Sequence, residues 1–200
     1  MKTFKIWNDN PSEKQLEDIA SLLREGQIMV FPTDTIYAVG CNALDTKAVE
    51  RICRIKGINP EKTNLSIICD SISTASKYAK IDNKDFMMLR NNTPGPFTFL
   101  FRAASTLPRA FKSRKTVGIR IPDCVTSRAI VEHCGFPILS TSVEFDDSDY
   151  TINPELIAEE AEGIVDFLVD AGEGGTEEST IVDCSSGDCE IIRQGKGELK

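Results

Sequence analysis

Three groups of small hydroxyl side chains stand at what read as strand ends. Thr33 and Thr35 lie in Phe31-Pro-Thr-Asp-Thr-Ile-Tyr-Ala-Val-Gly40, Ser140 and Ser142 in Ile138-Leu-Ser-Thr-Ser142, and Ser179 with Thr180 in Glu178-Ser-Thr-Ile-Val-Asp183. Strand ends are common ligand sites in open α/β sheets. Serine and threonine offer neutral donors and acceptors of short reach, which suit an amino acid or a nucleotide held closely. Arg120 and Arg193 supply the charge-assisted hydrogen bonds that a carboxylate or phosphate needs. The same hydroxyls also suit plain capping and turn roles. The sequence has no G-x-S-x-G elbow, no P-loop, no G-x-G-x-x-G and no H-E-x-x-H. Gly172-Glu-Gly-Gly175 lacks the lysine and helix start of a phosphate loop. No standard catalytic constellation therefore competes well.

Those groups need a rigid scaffold. A chain of 200 residues, 40% of them apolar, suits one domain spanning 1–200. No apolar run approaches ~18 residues, and the N-terminus does not resemble a signal peptide, so the expectation is a cytoplasmic protein without a membrane span. Seven cysteines without a C-x-x-C pair read as reduced, mostly buried thiols, and with His133 the single histidine no metal site is expected. The net charge of −8 is uneven. Seven Lys or Arg fall between Arg102 and Arg128, whereas Ala129 to Ile192 has none against seventeen acids. Such a basic zone suggests a small anionic ligand or one nucleic-acid face, or else solvated faces of unlike sign.

Apolar spacing and turn residues predict the elements. Strands are expected at 3–7, 27–31, 64–69, 97–101, 115–122, 136–141 and 164–169, and 179–183 pairs with 190–193 around Ser185-Ser-Gly-Asp188. Helices are expected at 12–25, where Ser12 and Gln15 form a capping box, and at 46–56, 71–78, 82–91, 127–134 and 154–162, the last opened by Asn153-Pro154. Mixed throughout, these predict an α/β (α+β) fold around one twisted sheet.

Several stretches together resemble the YrdC/YciO family of threonylcarbamoyl-adenylate synthases. They are FPTDTIYAVG, RICRIKG, NNTPGPFTFLF, KTVGIRIP, ILSTS, ESTIVD and IIRQGKG, which appear in family order across nearly the whole chain, with NNTPG, KTVGIRIP and LSTS closest to the YciO branch. The resemblance implies a concave mixed sheet flanked by helices and lined at its cavity by the P-T-x-T turn. It implies L-threonine, bicarbonate and ATP as substrates, with Mg²⁺, and threonylcarbamoyl-AMP and pyrophosphate as products for tRNA modification. Carried over by position, Thr33, Thr35, Arg120 and Ser179 would bind threonine. Lys56, Asn64, Thr116, Ser140, Ser142 and Arg193 would bind the nucleotide, with Lys56 and Ser142 closest to the chemistry. Two family signatures are altered. The K-x-R arginine is Ile58, and Arg54 points about 200° away on a helix; the S-x-N asparagine is Glu144. Weak or altered synthesis, or cleavage of the adenylate, follows from those losses. The resemblance also leaves open binding of double-stranded RNA or tRNA through Lys112, Arg114 and Lys115.

Overall fold

The computed structural model describes residues 1–59, 63, 65–107, 111, 115–143 and 152–200. One mixed sheet of eleven strands organises the chain. The strands are β1 (Lys2–Lys5), β2 (Met29–Phe31), β3 (Ala38–Asn42), β4 (Ser66–Ile68), β5 (Ala79–Lys80), β6 (Phe97–Ala103), β7 (Thr116–Arg120), β8 (Ile138–Ser142), β9 (Phe167–Asp170), β10 (Thr180–Asp183) and β11 (Glu190–Arg193). Their spatial order is β1-β9-β2-β3-β8-β4-β7-β6-β10-β11, with β5 also paired to β6. The described helices are α1 (Glu13–Arg24), α2 (Thr46–Ile55), α3 (Ile72–Ala75), α4 (Asn83–Asn92), α5 (Val125–Cys134) and α6 (Pro154–Glu160). None is long and apolar enough to cross a membrane.

Two apolar layers cover the sheet. On one face Ile19 and Leu23 of α1 and Ile130 and Val131 of α5 pack on Met29, Phe31, Ala38, Ile68, Ile138 and Phe167. On the other, Val49 and Ile52 of α2, Leu89 of α4 and Ile157 of α6 pack on Val39, Ile67, Leu139, Val117, Ile119 and the ring row Phe97, Phe99, Phe101. The period of two in each strand makes this division, since successive side chains face opposite sides.

Most boundaries follow their sequence signals. Ser12 and Gln15 exchange both capping-box bonds at α1. Asn153 accepts from Glu155 and Leu156 ahead of Pro154. α2 ends in a Schellman motif: Gly57, at φ +61, donates to Arg54 O, and Ile58 donates to Cys53 O at 2.8 Å. β3 was not anticipated, and it is a central strand between β2 and β8. Helix α5 also begins earlier than expected. Its first N–H groups are capped from far along the chain, for Asp9 accepts from Val125 N at 2.9 Å, Thr126 N at 2.8 Å and the Thr126 hydroxyl. Asp9→Ala should remove this cap at a cost of about 1–2 kcal/mol, lowering the melting temperature by roughly 2–8 °C in a calorimetric scan. An unchanged transition would contradict that role.

The expectation of reduced thiols holds for five cysteines, which are free and buried. It fails for Cys184 and Cys189, which form a disulfide across the β10–β11 turn. The hairpin itself closes the four-residue gap, a geometry that a search for C-x-x-C does not test.

Candidate functional site

The register of the central strands builds a polar floor. Ser140 of β8 faces Ser66 of β4, and Ser66 faces Gly118 of β7. Directly opposed residues share a face of the sheet, so these three form one row. Two residues along β7, Arg120 rises on the same side, and Thr98 of β6 stands beside it, opposite Ile181 of β10. Along β8 and β4 the same face changes from apolar to hydroxyl: Ile138 and Ile68 lie under α1 and α5, while Ser140, Ser142 and Ser66 lie beyond them. Gly118 is required here. A Cβ at that position would come within 2.2 Å of Ser66 Oγ and 3.0 Å of Thr98 Cγ2.

Above this floor lies an open pocket of ≈ 640 Å³, counted to its solvent mouth. Thr35, Ile58, Arg120, Ser142, Ser179 and Arg193 are among its lining residues. Arg120 is 8% exposed. Its Nη2 donates to Thr35 Oγ1 at 2.9 Å and Asp34 Oδ1 at 3.2 Å, with a longer contact to Thr33 Oγ1 at 3.4 Å. Burial pushes its guanidinium below the ordinary arginine value, and the Asp34 carboxylate opposes the shift. Arginine starts so high that the group stays charged. Asp34 is itself held, for Asp123 N donates to its Oδ2 at 2.9 Å and Lys196 Nζ donates to its backbone carbonyl at 2.7 Å.

Across the pocket, the hydroxyls of Ser179 and Thr98 are 2.8 Å apart. Arg193 Nη2 donates to Ser179 O at 2.9 Å, and its Nη1 pairs with Glu178 at 2.8 Å. Three buried polar atoms here have no protein partner among the described residues: Arg120 Nε, Ser140 Oγ and Arg193 Nε. A buried donor without a partner costs about 1–3 kcal/mol, so three around one pocket fit a ligand that accepts from them.

The expected residues divide accordingly. Thr35, Arg120, Ser140, Ser142, Ser179 and Arg193 come together around this pocket. Thr33 sits behind Thr35: its hydroxyl donates to Ile36 O at 2.7 Å and lies 2.9 Å from Thr35 Oγ1, so it shapes the turn without lining the cavity. Lys56 caps α2 and Thr116 opens β7 opposite Arg102; neither lines the pocket. Ile58, in the place of the family arginine, does line it, because the Schellman turn carries the chain there. Arg54 is exposed, away from the pocket. Asn64, Glu144, Lys112 and Arg114 lie outside the described residues. Lys115 is exposed at φ +59. Among the described residues of the basic zone three arginines do not converge: Arg102 donates to Ser185 O, Arg120 is in the pocket, and Arg128 bonds Pro122 O and Asp123.

Ser179 precedes β10 and so marks the start of a strand, not its end. Thr180 beside it is structural. Its buried hydroxyl donates to Gly197 O and accepts from Gly195 N and Gly197 N, which pins the C-terminal Gln194-Gly-Lys-Gly197. Gly175 also has a packing role, since its N–H donates to Thr35 O at 2.8 Å and a Cβ would collide with that oxygen at 2.6 Å. Thr98 and Ser66 were not anticipated. Thr98 had a signal, a lone hydroxyl in the otherwise apolar run Phe97-Thr-Phe-Leu-Phe101.

The chain was compared with known proteins. The Sua5/YciO/YrdC family model, described as "Telomere recombination", matches residues 21–195. The chain is 36% identical over 200 residues to the uncharacterized protein YciO of Escherichia coli K12, covering 98% of this chain and 97% of that one. It is 28% identical to the threonylcarbamoyl-AMP synthase of Bacillus subtilis, covering 98% of this chain and 59% of the relative. Among solved structures, E. coli YciO superposes with a TM-score of 0.91 at 35% identity, over 100% and 98% of the two chains. P. abyssi Sua5 complexed with L-threonine gives 0.88 at 28% identity, over 98% and 58%.

Proposed function

The chain belongs to the Sua5/YciO/YrdC family, whose members include threonylcarbamoyl-AMP synthases, and from that premise we propose that its pocket binds L-threonine and converts it slowly to threonylcarbamoyl-AMP. The observation that carries this reading is the buried Arg120, set between the Thr35 and Ser179 sides of the pocket with its Nε unpartnered. A guanidinium fork in that setting suits an amino-acid carboxylate. A relative in the family was solved with L-threonine bound.

The chemistry needs no protein nucleophile. The threonine amine adds to CO2 derived from bicarbonate and forms a carbamate. A carbamate oxygen attacks the α-phosphorus of ATP, the α–β bridging bond breaks, and pyrophosphate leaves. Bicarbonate loses water in the overall balance. Both reacting partners are anionic, so catalysis rests on alignment and charge. In this chain Arg120 holds the threonine carboxylate, supported by Thr35 and Ser179. Ser140, Ser142 and Arg193 face the nucleotide. Family likeness alone extends the nucleotide site to Lys56, Asn64 and Thr116. Glu178 is the one carboxylate among the described lining residues, and it is tied to Arg193. The described residues do not make a Mg²⁺ cage, so with these residues an ion of that kind would arrive on the ATP phosphates. Ile58 leaves the phosphates one cation short, which is why the proposed rate is low.

Calorimetric titration of L-threonine into the purified chain tests the site. One saturable site per chain is expected, tightened by ATP. The absence of saturable threonine binding would overturn the assignment. Arg102, Arg120 and Arg128 face different surroundings and do not form one RNA-binding face.

A further inference from the structure

Away from the pocket, the turn between β10 and β11 packs against the start of α4. There the Asp85 carboxylate and the sulfurs of Cys184 and Cys189 lie within 4.8 Å of one another. Asp85 is 6% exposed. One oxygen, Oδ2, accepts from Asp82 N at 3.3 Å in the α4 capping box. Among the described residues its other oxygen has no partner, and it forms no ion pair, because the neighbouring Lys84 is turned to Asp188 at 2.7 Å. Buried carboxylates are normally paired with a cation or bind a metal.

We propose that Cys184, Cys189 and Asp85 form a binding site for a thiophilic divalent cation of the zinc class when the two cysteines are reduced. Two thiolates and a carboxylate are zinc ligands, and Zn–S bonds of ≈ 2.3 Å in a tetrahedron set the sulfurs about 3.8 Å apart. Reduction frees the two bonded sulfurs to open to that spacing, with the Asp85 carboxylate already within 4.8 Å of both. The turn is held without the disulfide. Lys84 Nζ donates to Gly187 O at 3.3 Å and to Asp188, and Arg102 Nε donates to Ser185 O at 2.9 Å. A cavity lined by Lys80, Asp82, Arg102, Ser185 and Gly187 opens beside Cys184 and Asp85, leaving room for a fourth ligand from solvent. The disulfide and the metal site are thus alternative states of one pair. Reduction adds two electrons and two protons to the sulfur–sulfur bond. Metal binding then releases both thiol protons.

The test uses the full chain reduced with a water-soluble phosphine, which is oxidised to its oxide with oxygen from water. Zinc chloride is titrated against a chromophoric chelator, and Co(II) is added in parallel to read thiolate-to-cobalt charge transfer and tetrahedral d–d absorption. One equivalent of metal per chain is expected, with both bands. The unreduced chain should take up none at this site. The Cys184→Ser/Cys189→Ser double variant should lose the bands, and Asp85→Asn should weaken binding at least about tenfold. Thermal melts confirm that each variant is folded, and Cys189→Ser alone, at the half-buried position, substitutes if the double variant is not. Undiminished uptake by the serine variant would place the metal on the other cysteines. That result, no stoichiometric uptake by the reduced chain, uptake by the unreduced chain at this site, or an unchanged affinity in Asp85→Asn would each overturn the proposal.

Discussion

Arg120→Lys is expected to lower threonylcarbamoyl-AMP formation by about 100-fold while leaving the chain folded. Lysine keeps the positive charge beside the buried Asp34, so the ion pair is not simply broken. What it loses is the planar fork. Arg120 uses Nη2 on Thr35 and Asp34 and leaves Nε free within the site. A lysine ammonium cannot serve Asp34 and a substrate carboxylate from two edges at once. Charge-assisted hydrogen bonds are worth about 1.5–3 kcal/mol, which is roughly 10–150-fold in rate. Initial rates at saturating ATP, with a melting curve for the same sample, check this. A folded variant with undiminished activity would remove Arg120 from the reaction.

The second large effect runs the other way. Ile58→Arg is expected to raise the rate of threonylcarbamoyl-AMP formation at least about tenfold, which needs only ~1.4 kcal/mol of transition-state stabilisation. Ile58 lines the pocket, half-buried, at the position where the family motif has arginine. The Schellman turn that delivers it depends on Gly57 and backbone bonds, none of which the substitution touches. A guanidinium there would add a donor fork for phosphate oxygens in the same cavity as Arg193. Glu144→Asn, tested alone and with Ile58→Arg, removes a negative charge two residues after Ser142. If both changes act on one ligand, their effects should couple and not add. No gain from Ile58→Arg in a folded, ATP-binding chain would show that the missing arginine is not what limits the reaction.

Much of this was legible in the sequence for identifiable reasons. Local signals worked where one residue decides a local geometry: Ser12 at α1 and Asn153-Pro154 at α6. Arg120 and Arg193 could be singled out because a guanidinium supplies the charge-assisted hydrogen bonds that a carboxylate or phosphate needs. β3 was obscured because Ala38-Val-Gly-Cys-Asn42 is buried on both faces and shows no alternation. Strand pairing hid the polar floor, since Ser66, Gly118 and Ser140 become neighbours only through the register of β4, β7 and β8. Thr33 was misplaced for a subtler reason. Two threonines one residue apart look equivalent, yet the turn folds one hydroxyl back onto Ile36 O and leaves the other on Arg120. The cap from Asp9 to α5 and the approach of Asp85 to Cys184 and Cys189 depend on tertiary contacts that no local pattern encodes.

The most direct test of the central claim is a single assay. Purified chain is incubated with ATP, L-threonine and bicarbonate, and threonylcarbamoyl-AMP is sought by mass spectrometry alongside released pyrophosphate. A second arm supplies threonylcarbamoyl-AMP and pyrophosphate and follows ATP. The account predicts slow formation of threonylcarbamoyl-AMP that requires all three substrates, increases with Ile58→Arg and nearly vanishes with Arg120→Lys. Absence of the product in parent and Ile58→Arg chains alike, with both folded and binding ATP, would contradict it.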